Sequence, residues 1–227
     1  MNIAKNMIHI QEWIGIFENK SKRSLNSVHL LAVSKKKSVT DIEKAITAGQ
    51  TAFGENYVQE AIEKIQALKK YPHLEWHYIG KIQKNKLKDL AKYFDWVQTL
   101  DSKEAAEKLN AACEKLNKKI QVCIQVNISD ELKKNGVDIG EIQPLAEYII
   151  EACPFLCLRG LMTIGLATQD EMLLKKMFKA LKENYDTLKI QYANVDTLSM
   201  GMSSDLGIAI ECGSTMVRVG TGIFGER

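Results

Sequence analysis

Leu30-Leu31-Ala32-Val33-Ser34-Lys35 carries four apolar residues straight into a serine and a lysine, with Lys36 and Lys37 behind. A short continuous apolar run bounded by polar residues suits a strand buried on both faces, as in a parallel sheet. Lys35 then stands at the C-terminal end of that strand, where α/β folds collect ligands and catalytic groups. Apolar walls and two neighbouring cations disfavour an ammonium there, and a neutral amine can attack an aldehyde to form a Schiff base. The competing reading is that the three lysines only solubilise a loop.

Outward from this strand the pattern alternates. Upstream, Ile3, Met7, Ile10, Ile14 and Phe17 recur at spacings of three and four and predict an amphipathic opening helix over 1–20. Downstream, Thr40 is the expected cap of the next helix, with Glu43 completing a capping box and Gly49 ending it. Further strands are expected at 51–54, 75–79, 96–100, 120–126, 156–164, 197–200 and 216–219. Helices are expected from 58 to about 70, and at 81–92, 102–116, 139–153, 171–190 and 204–212, with Pro144 tolerated near a helix start. Eight strands alternating with helices read as one (β/α)8 TIM barrel with an extra N-terminal helix, a single domain over 1–227. An open doubly wound sheet is the alternative.

The totals exclude several functions. Hydrophobic residues make up 45% and charged ones 26%, ordinary globular values that allow a sizeable core. A net charge of +3 is small, and only Arg23, Arg159, Arg218 and Arg227 among the 31 Lys+Arg are arginine, which argues against a nucleic-acid face. Five cysteines lie among apolar neighbours without a CxxC pair, and the four histidines lack metal spacing, so buried free thiols in a reducing compartment are expected rather than a metal site. Lys5 and Glu12 interrupt what would be the apolar core of a secretory signal, and no run approaches the ~18 apolar residues of a membrane span. A soluble, cytoplasmic protein is expected.

In a barrel the residues after each strand share one mouth. Arg218-Val219-Gly220-Thr221-Gly222 ends the last strand with glycines that let backbone N–H groups approach an anion, and Met200-Gly201-Met202-Ser203-Ser204 supplies the loop before it. These are the two loops in which barrel enzymes often hold a phosphate, although each is also readable as an ordinary glycine turn. Arg218 sits in an apolar strand and needs a partner, whether a phosphate, a ring nitrogen or a structural carboxylate. Asn56 is either a turn former or a ligand contact. His77 is either a half-buried structural residue or a catalytic one. Lys133 and Lys134 read most simply as loop charges. A Schiff-base lysine facing a phosphate cradle suggests pyridoxal 5′-phosphate (PLP), an aldehyde for the first and a phosphate for the second.

Five ordered segments carry a resemblance: Leu31-Ala-Val-Ser-Lys35, Phe53-Gly-Glu-Asn-Tyr-Val-Gln-Glu60, Trp76-His-Tyr-Ile-Gly80, Asp196-Thr-Leu-Ser-Met-Gly-Met-Ser203 and Gly213-Ser-Thr-Met-Val-Arg-Val-Gly-Thr-Gly-Ile-Phe-Gly225. Together they resemble the pyridoxal phosphate homeostasis protein family over nearly the whole chain. The resemblance implies a barrel similar to the N-terminal domain of alanine racemase, with PLP held as a Schiff base on Lys35. It implies cofactor contacts at Asn56, Ser203, Gly220 and Thr221, the last three around the phosphate, and Arg218 as the cationic partner of the cofactor; His77 and Met200, which lie at the same strand ends, are expected to contact the cofactor as well. More weakly, it points to Lys134 as a residue that handles PLP transiently.

The chain stops just after the eighth strand, which leads us to expect no second β domain and hence no tyrosine base of the alanine racemase type. A two-base racemase needs an acid/base on each face of the substrate carbon, and Lys35 provides one. The expectation is therefore a non-catalytic PLP carrier or buffer, monomeric, serving apo PLP-dependent enzymes. The alternatives are an amino-acid racemase with His77 or Tyr57 as second base, or a Schiff-base aldolase acting on a sugar phosphate.

Overall fold

Strand and helix do alternate, as a computed structural model describing residues 2–129, 135–166 and 168–226 shows. The order is α1 (Ile3–Lys20), β1 (His29–Val33), α2 (Val39–Thr47), β2 (Ala52–Glu55), α3 (Val58–Ala67), β3 (Glu75–Tyr78), α4 (Leu87–Tyr93), β4 (Trp96–Leu100) and α5 (Lys103–Lys115). It continues with β5 (Ile120–Gln125), α6 (Ile142–Ala152), β6 (Leu156–Met162), α7 (Glu171–Gln191), β7 (Thr197–Ser199), α8 (Leu206–Glu211), β8 (Met216–Val219) and α9 (Thr221–Phe224). All neighbouring strands are parallel, and β1 pairs with β8, with Leu31 opposite Arg218, to close a (β/α)8 barrel. The doubly wound alternative is overturned by that last pairing.

Closure gives the sheet two unlike faces. Alternate residues such as Ala32, Phe53, Val97, Val217 and Val219 face outward into one large core shared with the helices. Ile3, Met7, Ile10 and Ile14 of α1 join that core, so the opening helix packs by the stripe its spacing predicts. Inside the barrel sits a separate small cluster, Trp96, Cys123 and Met162, and His77 stacks on Trp96 with ring centroids 4.9 Å apart.

Several boundaries differ from expectation. Ser38, not Thr40, caps α2: its hydroxyl accepts from Asp41 N at 3.1 Å and donates to Asp41 Oδ2 at 2.8 Å. The expected helix at 81–92 is a 3₁₀ turn at Lys84–Lys86 leading into α4. The short α9, after the last strand, was read as a glycine loop. The β5–β6 register slips by one residue between Val122 and Cys123, leaving Arg159 as the extra residue of a bulge before Gly160. Gly160 has φ +146°, and a Cβ there would come within 1.9 Å of the Thr197 carbonyl oxygen, so only glycine lets β6 and β7 approach.

Lys133 and Lys134 lie outside the described residues. Among the described residues no helix is long and apolar enough to cross a membrane.

Candidate functional site at the C-terminal rim

Parallel strands place the residues that follow them on one rim. Lys35 lies two residues beyond β1 and is half-buried. Its two neighbours have other employment. Lys36 turns the chain with φ +60° and holds its ammonium 5.9 Å from the Tyr57 ring centroid. Lys37 Nζ donates to the carbonyls of Phe224 at 3.2 Å, Gly225 at 2.9 Å and Glu226 at 3.1 Å, tying the β1 loop to the end of α9.

Beneath Lys35 lies a buried ionic cluster absent from the sequence reading. Lys64 Nζ donates to the Ser34 carbonyl at 2.7 Å and to Glu55 Oε1 at 2.8 Å, and pairs with Glu60 as well. Ser34 Oγ donates to Glu55 Oε1 at 2.6 Å, and the Lys36 N–H donates to Glu60. The residues on both sides of Lys35 are thus pinned by one cluster. Burial pushes the Glu55 carboxyl above its ordinary range, and Lys64 pulls the other way. The sequence signal for this cluster was the i, i+4 pair of Glu60 and Lys64 on one helix face.

Asn56 follows β2, and its Oδ1 is buried without a hydrogen-bond partner among the described residues. Gly80, after β3, packs against it: a Cβ at Gly80 would sit 2.2 Å from the Asn56 carbonyl oxygen. Thr99 Oγ1 donates to the Gly80 carbonyl at 2.7 Å, so Gly80 cannot simply retreat. Gly80→Ala is expected to displace Asn56 and to cost about 1–3 kcal/mol of stability, read as a lower midpoint in urea unfolding; an unchanged midpoint would refute the contact.

The two glycine loops meet. A Cβ on Gly222 would lie 3.6 Å from Ser203 Oγ, and one on Gly220 would lie 3.3 Å from the Val33 carbonyl oxygen at the end of β1. Gly201, with φ +98°, accepts from Arg218 N at 3.0 Å, which joins the β7 loop to β8. Asp205 Oδ1 accepts from Met202 N at 2.6 Å and shapes the turn that carries Ser203. Thr221 opens α9, whose first N–H groups have no partner within the helix. Lys35, Asn56, Ser203, Gly220 and Thr221 therefore share the rim.

Arg218 lies just below it, 4% exposed. Its Nη1 donates to Ser199 O at 2.8 Å and Ser199 Oγ at 2.9 Å, and its Nη2 donates to Thr163 O at 2.7 Å. These acceptors are neutral, so the structural carboxylate considered as a partner is not among them. Burial lowers the guanidinium pKa to about 10, against the pull of Asp205. A buried cation held by neutral oxygens still favours a negative or lone-pair-bearing ligand.

Two predicted contacts lie elsewhere. Met200 is buried in the core shared with the helices, its N–H donating to Met216 O at 3.1 Å and its carbonyl accepting from Ser214 Oγ at 2.7 Å. His77 is fully buried inside the barrel, with Nδ1 2.9 Å from Gln98 Nε2. A cavity of about 1110 Å³ opens at the opposite end of the barrel beside Glu75, Trp96, Arg159 and Asp196 and holds none of the candidate residues. Strand polarity, not cavity size, locates the site. An amine, two hydroxyls on touching glycine loops, a buried guanidinium whose hydrogen-bond acceptors are neutral and an amide oxygen with no partner among the described residues fit a phosphorylated aldehyde.

The family model for the alanine racemase N-terminal domain matches residues 17–227. A pyridoxal phosphate homeostasis protein of Pasteurella multocida is 50% identical over 231 residues, covering all of this chain and 98% of that one. An unknown protein from Bifidobacterium adolescentis superposes with a TM-score of 0.94 at 31% identity, covering 98% of this chain and 94% of that one. PipY of Synechococcus elongatus PCC7942, solved with PLP bound, superposes with a TM-score of 0.83 at 33% identity, covering 98% of this chain and 100% of that one.

Proposed function

The chain belongs to the pyridoxal phosphate homeostasis proteins, on the fold of the alanine racemase N-terminal domain, and from that premise we propose that it binds PLP at the C-terminal rim and buffers it without turning over substrates of its own. One observation carries the reading: Lys35, both glycine loops and the Arg218 cation converge on one end of the barrel. Lys35 would hold the cofactor covalently, Ser203, Gly220 and Thr221 its phosphate, and Asn56 and Arg218 its remaining polar atoms. Met200 contributes by anchoring the strand end from which the Ser203 loop hangs, and His77 through the residues that link it to Arg218. When bound, PLP supplies an aldehyde for an amine and a ring that absorbs near ~420 nm once conjugated.

The two candidates for a second acid/base favour a carrier. His77 is sealed inside the barrel, where burial lowers its pKa, and Tyr57 is half exposed beside the Lys36 ammonium. The working unit is then one barrel domain over 1–227, monomeric, in the cytoplasm, delivering PLP to apo-enzymes that depend on it.

An absorbance scan of the purified protein tests the binding, and its separation from the aldolase reading, directly. For the carrier role, α-proton exchange of several L-amino acids in D₂O is expected to run no faster with the PLP-loaded protein than with free PLP. Exchange well above that level would replace the carrier by a racemase-like enzyme.

A further inference from the structure

A line of side chains crosses the inside of the barrel from rim to floor. Arg218 Nη1 donates to Ser199 Oγ at 2.9 Å, and Ser199 Oγ donates to Gln98 Oε1 at 2.7 Å. Gln98 Nε2 lies 2.9 Å from His77 Nδ1, and His77 Nε2 lies 3.5 Å from Glu75 Oε2. The members come from β8, β7, β4 and β3, and Ser199, Gln98 and His77 are each 0% exposed. Barrel interiors are ordinarily filled by layers of branched apolar side chains, so a polar file of this length is not what closure requires.

The donors run one way. An amide nitrogen only donates, so His77 Nδ1 accepts and the ring proton sits on Nε2, toward the Glu75 carboxylate. Turning the Gln98 amide over would put the proton on Nδ1 and aim the Nε2 lone pair at that carboxylate, an unfavourable contact. Glu75 thereby selects the His77 tautomer, His77 selects the Gln98 orientation, and Gln98 leaves its oxygen for Ser199. The last link is an electrostatic contact at 3.5 Å and not a hydrogen bond, since His77 Nε2 has no hydrogen-bond partner among the described residues. The second Gln98 N–H points at Met216 Sδ, 3.1 Å away, which fixes the amide further.

We propose that Gln98 is a positioning residue for the cofactor: through Ser199 it sets the Arg218 guanidinium under the rim, and through His77 it anchors that guanidinium to Glu75 at the floor. The inference rests on the PLP-binding reading and goes beyond it, since Gln98 touches no part of the rim. The other charged and titratable groups around the file are Asp205 and Cys123 beside Arg218, Asp95 beside His77, and Arg159 and His29 beside Glu75. None of them changes in the test.

The test adds PLP to wild type, Gln98→Leu and Ser199→Ala, each checked for folding by circular dichroism. Two readings are taken: the dissociation constant, and the pH midpoint of the ~420 nm band. With the guanidinium loosened, affinity is expected to fall about tenfold in Gln98→Leu, the size of one hydrogen bond to a charged group. The midpoint is expected to rise, because a cation held less firmly opposes protonation less. Ser199→Ala shifts both readings the same way by a smaller amount, and it decides the matter if Gln98→Leu does not fold. A purely structural role lowers the melting temperature and leaves the midpoint alone. Folded variants with wild-type affinity and midpoint overturn the positioning role, while a wild type that never shows the band overturns the binding reading and this role with it.

Discussion

Lys35→Ala protein mixed with one equivalent of PLP is expected to show no band near ~420 nm, because alanine has no amine at the site to condense with the aldehyde. Lys36→Ala and Lys37→Ala are expected to keep the band. Lys36 lies over Tyr57, and Lys37 is committed to the carbonyls of Phe224, Gly225 and Glu226. Thr221→Ala serves as the converse control: it keeps the amine, and so the band, but loses cofactor faster on dialysis. If Lys35→Ala retains the band and Lys36→Ala loses it, the wrong lysine has been assigned and the loop geometry beneath it has no bearing on binding.

Lys64→Met is expected to cost about 3–5 kcal/mol, the penalty for leaving a buried charge without its partner. In a chain of this size that lowers the melting temperature by roughly 6–20 °C. Glu55 is 0% exposed and its Oε2 already lacks a partner, so removing the Lys64 ammonium leaves a carboxylate with little but Ser34 Oγ to support it. The pH dependence has a definite sign. Burial raises the folded-state pKa of Glu55, so its titration favours the folded protein at low pH, and that contribution is lost as pH rises through the folded value. Without Lys64 the carboxyl titrates higher still, and the deficit should be largest at neutral pH and shrink on acidification. Adding Glu55→Gln should restore much of the loss by removing the charge. A Lys64→Met protein as stable as wild type at neutral pH would mean that the cluster is solvated rather than buried. Because the cluster grips Ser34 and Lys36, the same variant should also form the ~420 nm band more slowly.

Much of this was readable in the chain. The run at 30–35 marked a strand buried on both faces, and its repetition with helices between implied a parallel barrel. Glycines paired with hydroxyl residues at 200–204 and 218–222 marked the two anion loops. Gln98 was readable too, since it alternates with Trp96 and so shares its inward face, but a polar residue in an apolar strand does not name its partner. The cap of α2 was misread because Ser38 and Thr40 are equally good cap residues in isolation, and only the path of the chain past Lys37 selects Ser38.

By itself the sequence determined periodicity, and periodicity depends only on neighbours a few residues apart: which segments are strands, which are helices, and which residues follow each strand. Tertiary structure alone decided which polar groups meet across the barrel. Arg218 connects with Glu75 through residues drawn from two further strands. Those meetings depend on register and closure, set jointly by all eight strands, and no local pattern encodes them.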